Sequence, residues 1–277
     1  MTRHHILPLI SESHRLRVRV SSGIDSTKGK GRWPTANYRR FALVLVVLLS
    51  LTVLGLSAST GATAAENSPA SLSIYQDVPP SIDVSRKYLF YMHGIAVEQF
   101  GRNAVTPDYG RYEYDDIVQA LAGKGFVVIS EVRPQGTRPD YGRKVAGQVQ
   151  SLLAARVPPE NITVSGHSKG GMLSMVASAA LGEPKVNFLI MAGCGAGRFA
   201  RGFEETVRQI APRLKGRMLS LYDTVDREAG SCQAAFDRAQ GLEYKETTLK
   251  TGLGHGLFYS VHKEWIDLVT DWASKSH

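Results

Sequence analysis

The sequence predicts an α/β fold with a mostly parallel central sheet, helices on both faces of the sheet and little or no lid. From Ser71 onward, short apolar runs alternate with amphipathic stretches of helical period, which is typical of parallel strands joined by crossover helices. At the centre of this pattern, a β-branched strand leads directly into a glycine-flanked serine and a helix. Residues 65–277 form one predicted domain, since about 200 residues are enough to bury a single core.

Each predicted strand is a run of mainly apolar, β-branched or aromatic residues, and each predicted helix carries apolar side chains every three or four positions. The first strand ends at His93-Gly94, and Pro158-Pro159 ends the second long helix. The expected strands are 88–92, 126–130, 162–165, 186–191, 218–222 and, as a more exposed edge strand, 242–249. The expected helices are 114–122, 141–156, a helix after the elbow that runs through 173–177 to about Leu181, 203–214, 234–239 and 261–274.

Residues 1–64 are predicted to be an N-terminal leader. The apolar run 41–56 carries no charge, follows Arg39-Arg40 and precedes Ala62-Thr63-Ala64. A basic flank, an apolar core and an Ala-x-Ala site describe a secretory signal peptide, so we expect cleavage near Ala64 and export to the periplasm or beyond the cell. A retained membrane anchor is the alternative, although the run is short against the about 20 residues that a bilayer span needs.

The net charge of +8 does not indicate a nucleic-acid partner. The leader contains nine of the basic residues and only two acidic ones, which leaves 24 basic and 23 acidic residues in 65–277. Because the predicted domain is close to neutral, its electrostatics give no reason to expect nucleic acid or another polyanion.

Two cysteines, Cys194 and Cys232, both lie in the predicted domain. In an oxidising compartment an even pair indicates one intramolecular disulfide, and two buried thiols are the alternative. Each cysteine follows one of two successive strands, so a bridge would hold the loop after the second strand.

The segment Gly166-His167-Ser168-Lys169-Gly170 follows a strand and opens a helix. In this order Gly-x-Ser-x-Gly is typical of a nucleophile elbow, in which the serine occupies strained backbone and small neighbours let the chain pass. The start of the helix directs its free N–H groups and positive dipole end towards the serine. We therefore predict that Ser168 is a catalytic nucleophile.

A serine nucleophile needs a base and an orienting carboxylate. His255 lies between two glycines after the last strand, and we expect the loop to let the imidazole swing over the serine. Asp226 lies just past the strand 218–222, in a loop that faces the ligand crevice at the carboxyl edge of a parallel sheet. Asp223 is the alternative, but it comes where the strand ends and is expected to form local hydrogen bonds.

The order Ser168, Asp226, His255 is nucleophile, acid and base, and with the Gly166–Gly170 elbow it resembles the α/β-hydrolase superfamily over residues 80–277. The segment His93-Gly94-Ile95 is similar to the family's His-Gly oxyanion loop. The resemblance implies that the backbone N–H groups of Ile95 and Lys169 stabilise an oxyanion.

The sequence also departs from the family. The antiparallel strands expected before residue 85 are hardly visible, and the short segment between Cys194 and the next helix leaves no room for a lid domain. His93 is expected to be structural and Arg133 to form an ion pair. His167 and Lys169, which flank the serine, are expected to be solvated bystanders; the alternative for Lys169 is that it attracts an acidic substrate.

The resemblance implies a serine esterase-like hydrolase that cleaves a carboxylic ester or a related acyl bond through an acyl-enzyme. An acyltransferase or an amidase on the same triad, and a non-catalytic binding protein of this fold, are the alternatives. No His or Cys cluster has the spacing of metal ligands, and no Gly-x-Gly-x-x-Gly follows a strand, so neither a metal nor a nucleotide cofactor is expected. The expected partner is a small acyl substrate.

Overall fold

The computed structural model describes residues 72–275. The predicted leader, its cleavage site and the alternative membrane anchor lie outside the described residues. Within 72–275, no helix has the length and apolar character that crossing a bilayer requires.

Within residues 72–275, nine strands and seven α-helices are formed, joined by 3₁₀ turns at 159–161, 197–199, 211–213 and 254–259. The strands are β1 (Ile74–Tyr75), β2 (Tyr88–Met92), β3 (Val105–Thr106), β4 (Gly110–Arg111), β5 (Val127–Ile129), β6 (Ile162–His167), β7 (Asn187–Met191), β8 (Arg217–Asp223) and β9 (Glu243–Leu249). The helices are α1 (Ile95–Phe100), α2 (Tyr114–Gly123), α3 (Tyr141–Ala154), α4 (Lys169–Leu181), α5 (Ala200–Ile210), α6 (Gln233–Phe236) and α7 (Lys263–Ser274).

Seven strands form one sheet in the order β1-β5-β2-β6-β7-β8-β9, and every neighbouring pair is parallel. Alternate side chains of each strand enter two separate cores, one on each face. Helices α3 to α6 cover the first core, and α1, α2 and α7 cover the second. The predicted parallel sheet with helices on both faces is confirmed.

The prediction missed the shortest elements and some boundaries. The two-residue strand β1, the small β3–β4 hairpin and the six-residue helix α1 are too short to show a period in the sequence. Helix α5 begins and ends earlier than predicted. It ends early because Pro212 lies in the 3₁₀ turn that follows it. The edge strand 242–249 is confirmed, since β9 lies at the end of the sheet and is at least partly exposed along its length.

Cys194 and Cys232 form a disulfide with a Cα–Cα distance of 5.3 Å, which confirms the predicted pairing and excludes the two buried thiols. Backbone bonds strengthen the same junction: the Ala196 N–H donates to Glu228 O and the Gly230 N–H to Cys194 O, each at 2.8 Å. The segment after β7 is thereby tied to the loop after β8.

Replacing both cysteines (Cys194→Ala/Cys232→Ala) should lower the free energy of unfolding by about 3–4 kcal/mol, because the bridge closes a long loop in the unfolded chain. Urea denaturation of parent and variant measures the difference. Reductant added to the parent should reproduce most of it, and equal midpoints for all three samples would contradict the prediction.

Candidate active site

Ser168 alone forms the turn between β6 and α4. Its backbone has φ 55° and ψ −119°, a conformation that a non-glycine residue rarely adopts and that costs about 1–3 kcal/mol. Two backbone bonds hold it: the Ser168 N–H donates to Met191 O at 2.8 Å, and its carbonyl accepts the Met172 N–H at 3.1 Å. The serine is thus fixed at the end of a buried strand, as the elbow motif predicts.

The glycines of the elbow are required by close backbone contacts. A Cβ on Gly166 would lie 2.3 Å from the carbonyl group of Gly170, and a Cβ on Gly170 would lie 2.0 Å from the carbonyl oxygen of Met92. Neither position can accept a side chain without moving a strand. The tight turn therefore depends on both glycines.

Asp226 and His255 are joined by a hydrogen bond of 2.9 Å between Oδ2 and Nδ1. The other carboxylate oxygen of Asp226 accepts the backbone N–H groups of Glu228 and Ala229 at 2.8 and 3.0 Å. Because the carboxylate is held on both sides and its side chain is fully buried, it fixes the imidazole plane and leaves Nε2 for another partner.

His255 is packed in place, so the expectation of a swinging loop is wrong. The residue lies in a 3₁₀ turn, and its side chain is only 4% exposed. The ring centroid of His167 lies 4.8 Å away and that of Tyr109 5.6 Å away. These neighbours leave the imidazole little freedom.

Asp223 has the local role that the sequence predicts for it. Its carboxylate accepts the Val225 N–H at 3.0 Å and, from Thr251, the backbone N–H at 2.8 Å and the hydroxyl at 2.6 Å. Burial alone would raise the pKa of Asp223, but these hydrogen bonds lower it below its ordinary value. Asp223 thus ties the end of β8 to the loop that carries His255.

Ser168 and His255 line one cavity of about 360 Å³. Its apolar wall comes from Met172, Phe199 and Phe203, and Ile95 lies at its edge. Within the described residues no hydrogen bond joins the Ser168 hydroxyl to His255, as is common in sites without ligand, where such bonds tighten only when substrate binds. Ser168 and His255 therefore share one cavity, and Asp226 is joined to His255 behind it.

Strand, strained serine and helix follow one another as in a nucleophile elbow, and Asp226 and His255 come from loops after later parallel strands. The chain has an α/β-hydrolase fold. Its sheet lacks the antiparallel strands that open the family's sheet, since every strand pair described in it is parallel. Within 72–275 no lid domain is inserted, and the 3₁₀ turn at 197–199 and α5 contribute residues to the cavity lining.

No protein-family model and no curated protein matches the sequence. Several solved α/β-hydrolases are similar in structure. A 2,6-dihydroxy-pseudo-oxynicotine hydrolase is 14% identical with a TM-score of 0.48, over 71% of this chain and 63% of that one. A monoacylglycerol lipase from Paleococcus ferrophilus is 14% identical with a TM-score of 0.47, over 67% and 93%. An acetyl xylan esterase from Paenibacillus sp. R4 is 17% identical with a TM-score of 0.42, over 68% and 73%.

The predicted oxyanion donors both begin helices of this α/β-hydrolase domain, α1 at Ile95 and α4 at Lys169, and both residues line the cavity. The first N–H groups of a helix have no partner within it. A Cβ on Gly94 would lie 3.5 Å from Ser168 Cβ, so this loop runs against Ser168.

His93 is buried and structural, as expected. Its Nε2 accepts the Arg133 backbone N–H at 2.9 Å, so the ring proton lies on Nδ1, which donates to Gly94 O at 2.8 Å. Since a trans peptide points its C=O and N–H in opposite directions, this bond turns the Ile95 N–H away from His93. Burial, and then the charge of Arg133, lowers the pKa of His93 to about 3.

The two residues that flank Ser168 differ from the expectation of solvated bystanders: His167 is buried, and Lys169 is partly buried and held in an ion pair. His167 is 1% exposed, and its Nδ1 lies 3.1 Å from the Tyr112 hydroxyl. Burial, followed by the nearby His255 and His93, lowers the pKa of His167 well below its ordinary range. Lys169 places Nζ 2.6 Å from Glu98 Oε1 and 2.6 Å from Thr137 O, and is therefore not free to attract an acidic substrate.

Two acidic residues of the site were missed. Glu98 is buried in α1 and pairs with Lys169 and Arg133, which confirms the predicted ion pair of Arg133. Glu228 lines the cavity, with Oε2 3.9 Å from His255 Nε2 and Oε1 2.6 Å from the exposed Arg198. Neither glutamate belongs to a recognisable sequence motif, because the residues that they pair with are distant in the sequence. No group of three or more potential metal ligands occurs in the part of the chain that the structure describes.

Gly170→Ala should lower the free energy of unfolding by about 3 kcal/mol, because the Cβ of the introduced alanine would overlap the backbone of β2. The matched control is Gly147→Ala in α3, where nothing lies within 4 Å and alanine should stabilise by about 0.5–1 kcal/mol. Urea denaturation separates the two. Similar effects of the two substitutions would contradict the close contact at Gly170.

His93 and His167 should stay neutral in the folded protein as the pH falls below 6.5. The unfolded chain binds protons on its histidines near pH 6.5, so between that value and the lower folded pKa the unfolded state holds more protons. The free energy of unfolding should therefore fall with pH from 6.5 towards 3, by up to about 1.4 kcal/mol per pH unit for each histidine. NMR of the two assigned rings checks the cause, and titration of either ring near pH 6.5 would refute it.

Proposed function

We propose that this chain is a serine hydrolase that cleaves a carboxylic ester or a related acyl bond. One observation carries the proposal: the strained Ser168 lines the same cavity as His255, and Asp226 holds the other side of that imidazole. Such a constellation is recognised by its geometry and by the roles of its members.

In the proposed reaction, Ser168 Oγ attacks the acyl carbon while His255 Nε2 takes the hydroxyl proton. The carbonyl oxygen becomes an oxyanion, which the N–H groups of Ile95 and Lys169 would stabilise by about 3–4 kcal/mol per donor. Collapse of the intermediate breaks the bond to the leaving group, which takes the proton from His255. Water then attacks the acyl-enzyme with His255 as base, releasing the acid and restoring the serine.

Cavity size and lining support a small apolar substrate group. A volume of about 360 Å³ is near the lower end of ligand pockets, and Met172, Phe199 and Phe203 give it an apolar wall. We therefore propose a short acyl chain or a single ring as the group bound there.

The disulfide supports the proposal that the protein is exported, because such bonds persist in oxidising compartments.

The test is labelling of the full-length protein with a fluorophosphonate probe, which phosphonylates only activated serines. The parent should label, and Ser168→Ala and His255→Ala should not. Hydrolysis of p-nitrophenyl acetate should fall by about 10⁴-fold or more in both variants. A folded parent that does not label would refute the proposal and favour a binding protein.

Asp226→Asn and Asp223→Asn form a matched pair, since both remove one carboxylate near the end of β8. The first should lower kcat by about 10⁴-fold through loss of the imidazole's orienting partner. The second should act mainly on stability, with less than a tenfold change in kcat. The opposite ranking would assign the acid to Asp223.

Faster hydrolysis of p-nitrophenyl laurate than of the acetate and butyrate would contradict the proposed substrate size.

A further inference from the structure

A buried carboxylate joins the two helices that begin at the cavity. The Glu98 side chain, in α1, is only 2% exposed. Lys169 Nζ lies 2.6 Å from Oε1, the Thr137 N–H donates to the same oxygen at 3.1 Å, and Arg133 Nε lies 3.5 Å from Oε2. Burying a carboxylate is unfavourable unless cations and donors surround it, and here two cations do.

The positions of the two partners connect this ion pair to the proposed chemistry. Ile95, which carries one of the proposed oxyanion donors, lies three residues before Glu98 on the same short helix. Lys169 carries the second donor on its own backbone and directly follows Ser168. The salt bridge therefore links Lys169 to the helix that begins at Ile95, and the N–H groups of these two residues must converge on one oxygen.

Helix α1 needs such a link. It has six residues, and helices this short are not stable by themselves. Oxyanion donors act only when they lie within about 2.7–3.1 Å of the position that the oxygen reaches in the transition state. Small shifts of α1 against α4 would change that distance without removing any residue of the triad.

We propose that Glu98 is a positioning residue, which through its ion pair with Lys169 sets the separation of the Ile95 and Lys169 N–H groups. The inference rests on the proposed hydrolase function and extends it. Glu98 itself touches no substrate; it acts through the two helix starts.

Charge and position predict opposite effects for Glu98→Gln. If only the local charge mattered, removal of the carboxylate would leave Lys169 and Arg133 unneutralised near the oxyanion, and hydrolysis would become faster. If Glu98 positions the donors, hydrolysis becomes slower. Lys169→Met removes the same link from the other side and leaves Glu98 with Arg133, so that variant should fold even if Glu98→Gln does not.

The experiment compares full-length parent, Glu98→Gln, Lys169→Met and the double variant in hydrolysis of p-nitrophenyl acetate. For each single variant we expect kcat to fall by about 10–100-fold with KM within about twofold, because the lost interaction belongs to the transition state. The affinity for phenylboronic acid, a tetrahedral mimic, should fall by a similar factor. The kcat of the double variant should be no lower than that of the less active single variant, because Glu98→Gln and Lys169→Met remove the same interaction.

Lys124→Met is the matched control, because Lys124 also forms an ion pair, with Asp267, but neither residue lines the cavity. It should keep kcat and boronate affinity. Unchanged or increased kcat in folded Glu98→Gln, unchanged kcat in Lys169→Met, or a fall matched by a rise in KM would overturn the inference while leaving the hydrolase function intact. A parent that neither labels with fluorophosphonate nor hydrolyses the ester would overturn both.

Discussion

The backbone of Ser168 is the constraint on which the site depends. A strand that turns into a helix within one residue must place that residue at positive φ, and the turn fits only if the chain segments around it approach at backbone distance. Gly166 and Gly170 allow this approach, and Gly170 packs directly on the end of β2. Because β2 leads into the Gly94–Ile95 loop, the same contact places that loop against the nucleophile. The strained turn and the loop that faces it are thus products of one packing arrangement.

A parallel sheet then brings the remaining groups to the same place. The carboxyl ends of parallel strands meet at one edge, so the loops after β8 and β9 carry Asp226 and His255 towards the elbow without any long insertion. Asp223 and the disulfide fix these loops to each other and to the segment after β7. Asp226 and His255 are therefore held by bonds at the base of their loops, and the imidazole is held by the rings around it.

Several polar and charged side chains close to Ser168 are buried. His93 and His167 are buried and neutral, while Glu98, Arg133 and Lys169 form a charged group around the start of α1. Buried polar groups need partners to be stable, and those of His93, Glu98 and Lys169 belong to the loop and helix starts that surround Ser168. Within the described residues, His167 Nε2 and Arg133 Nη1 form no hydrogen bond. The polar network therefore rigidifies the part of the molecule where the proposed reaction needs fixed donors.

Local pattern in the sequence determined the alternation of strands and helices, the elbow at Ser168 and the chain order of Ser168, Asp226 and His255, because period, glycine placement and order are read along the chain. Tertiary structure alone decided how the parts meet. It packed His255 against Tyr109 and His167, gave Asp223 its partner in Thr251, and paired Glu98 with Lys169 across 71 residues. Burial and ion pairing depend on which distant residues become neighbours, and no local pattern records that. For the same reason the short helix α1, which is stabilised by what it packs against, left no signal in the sequence.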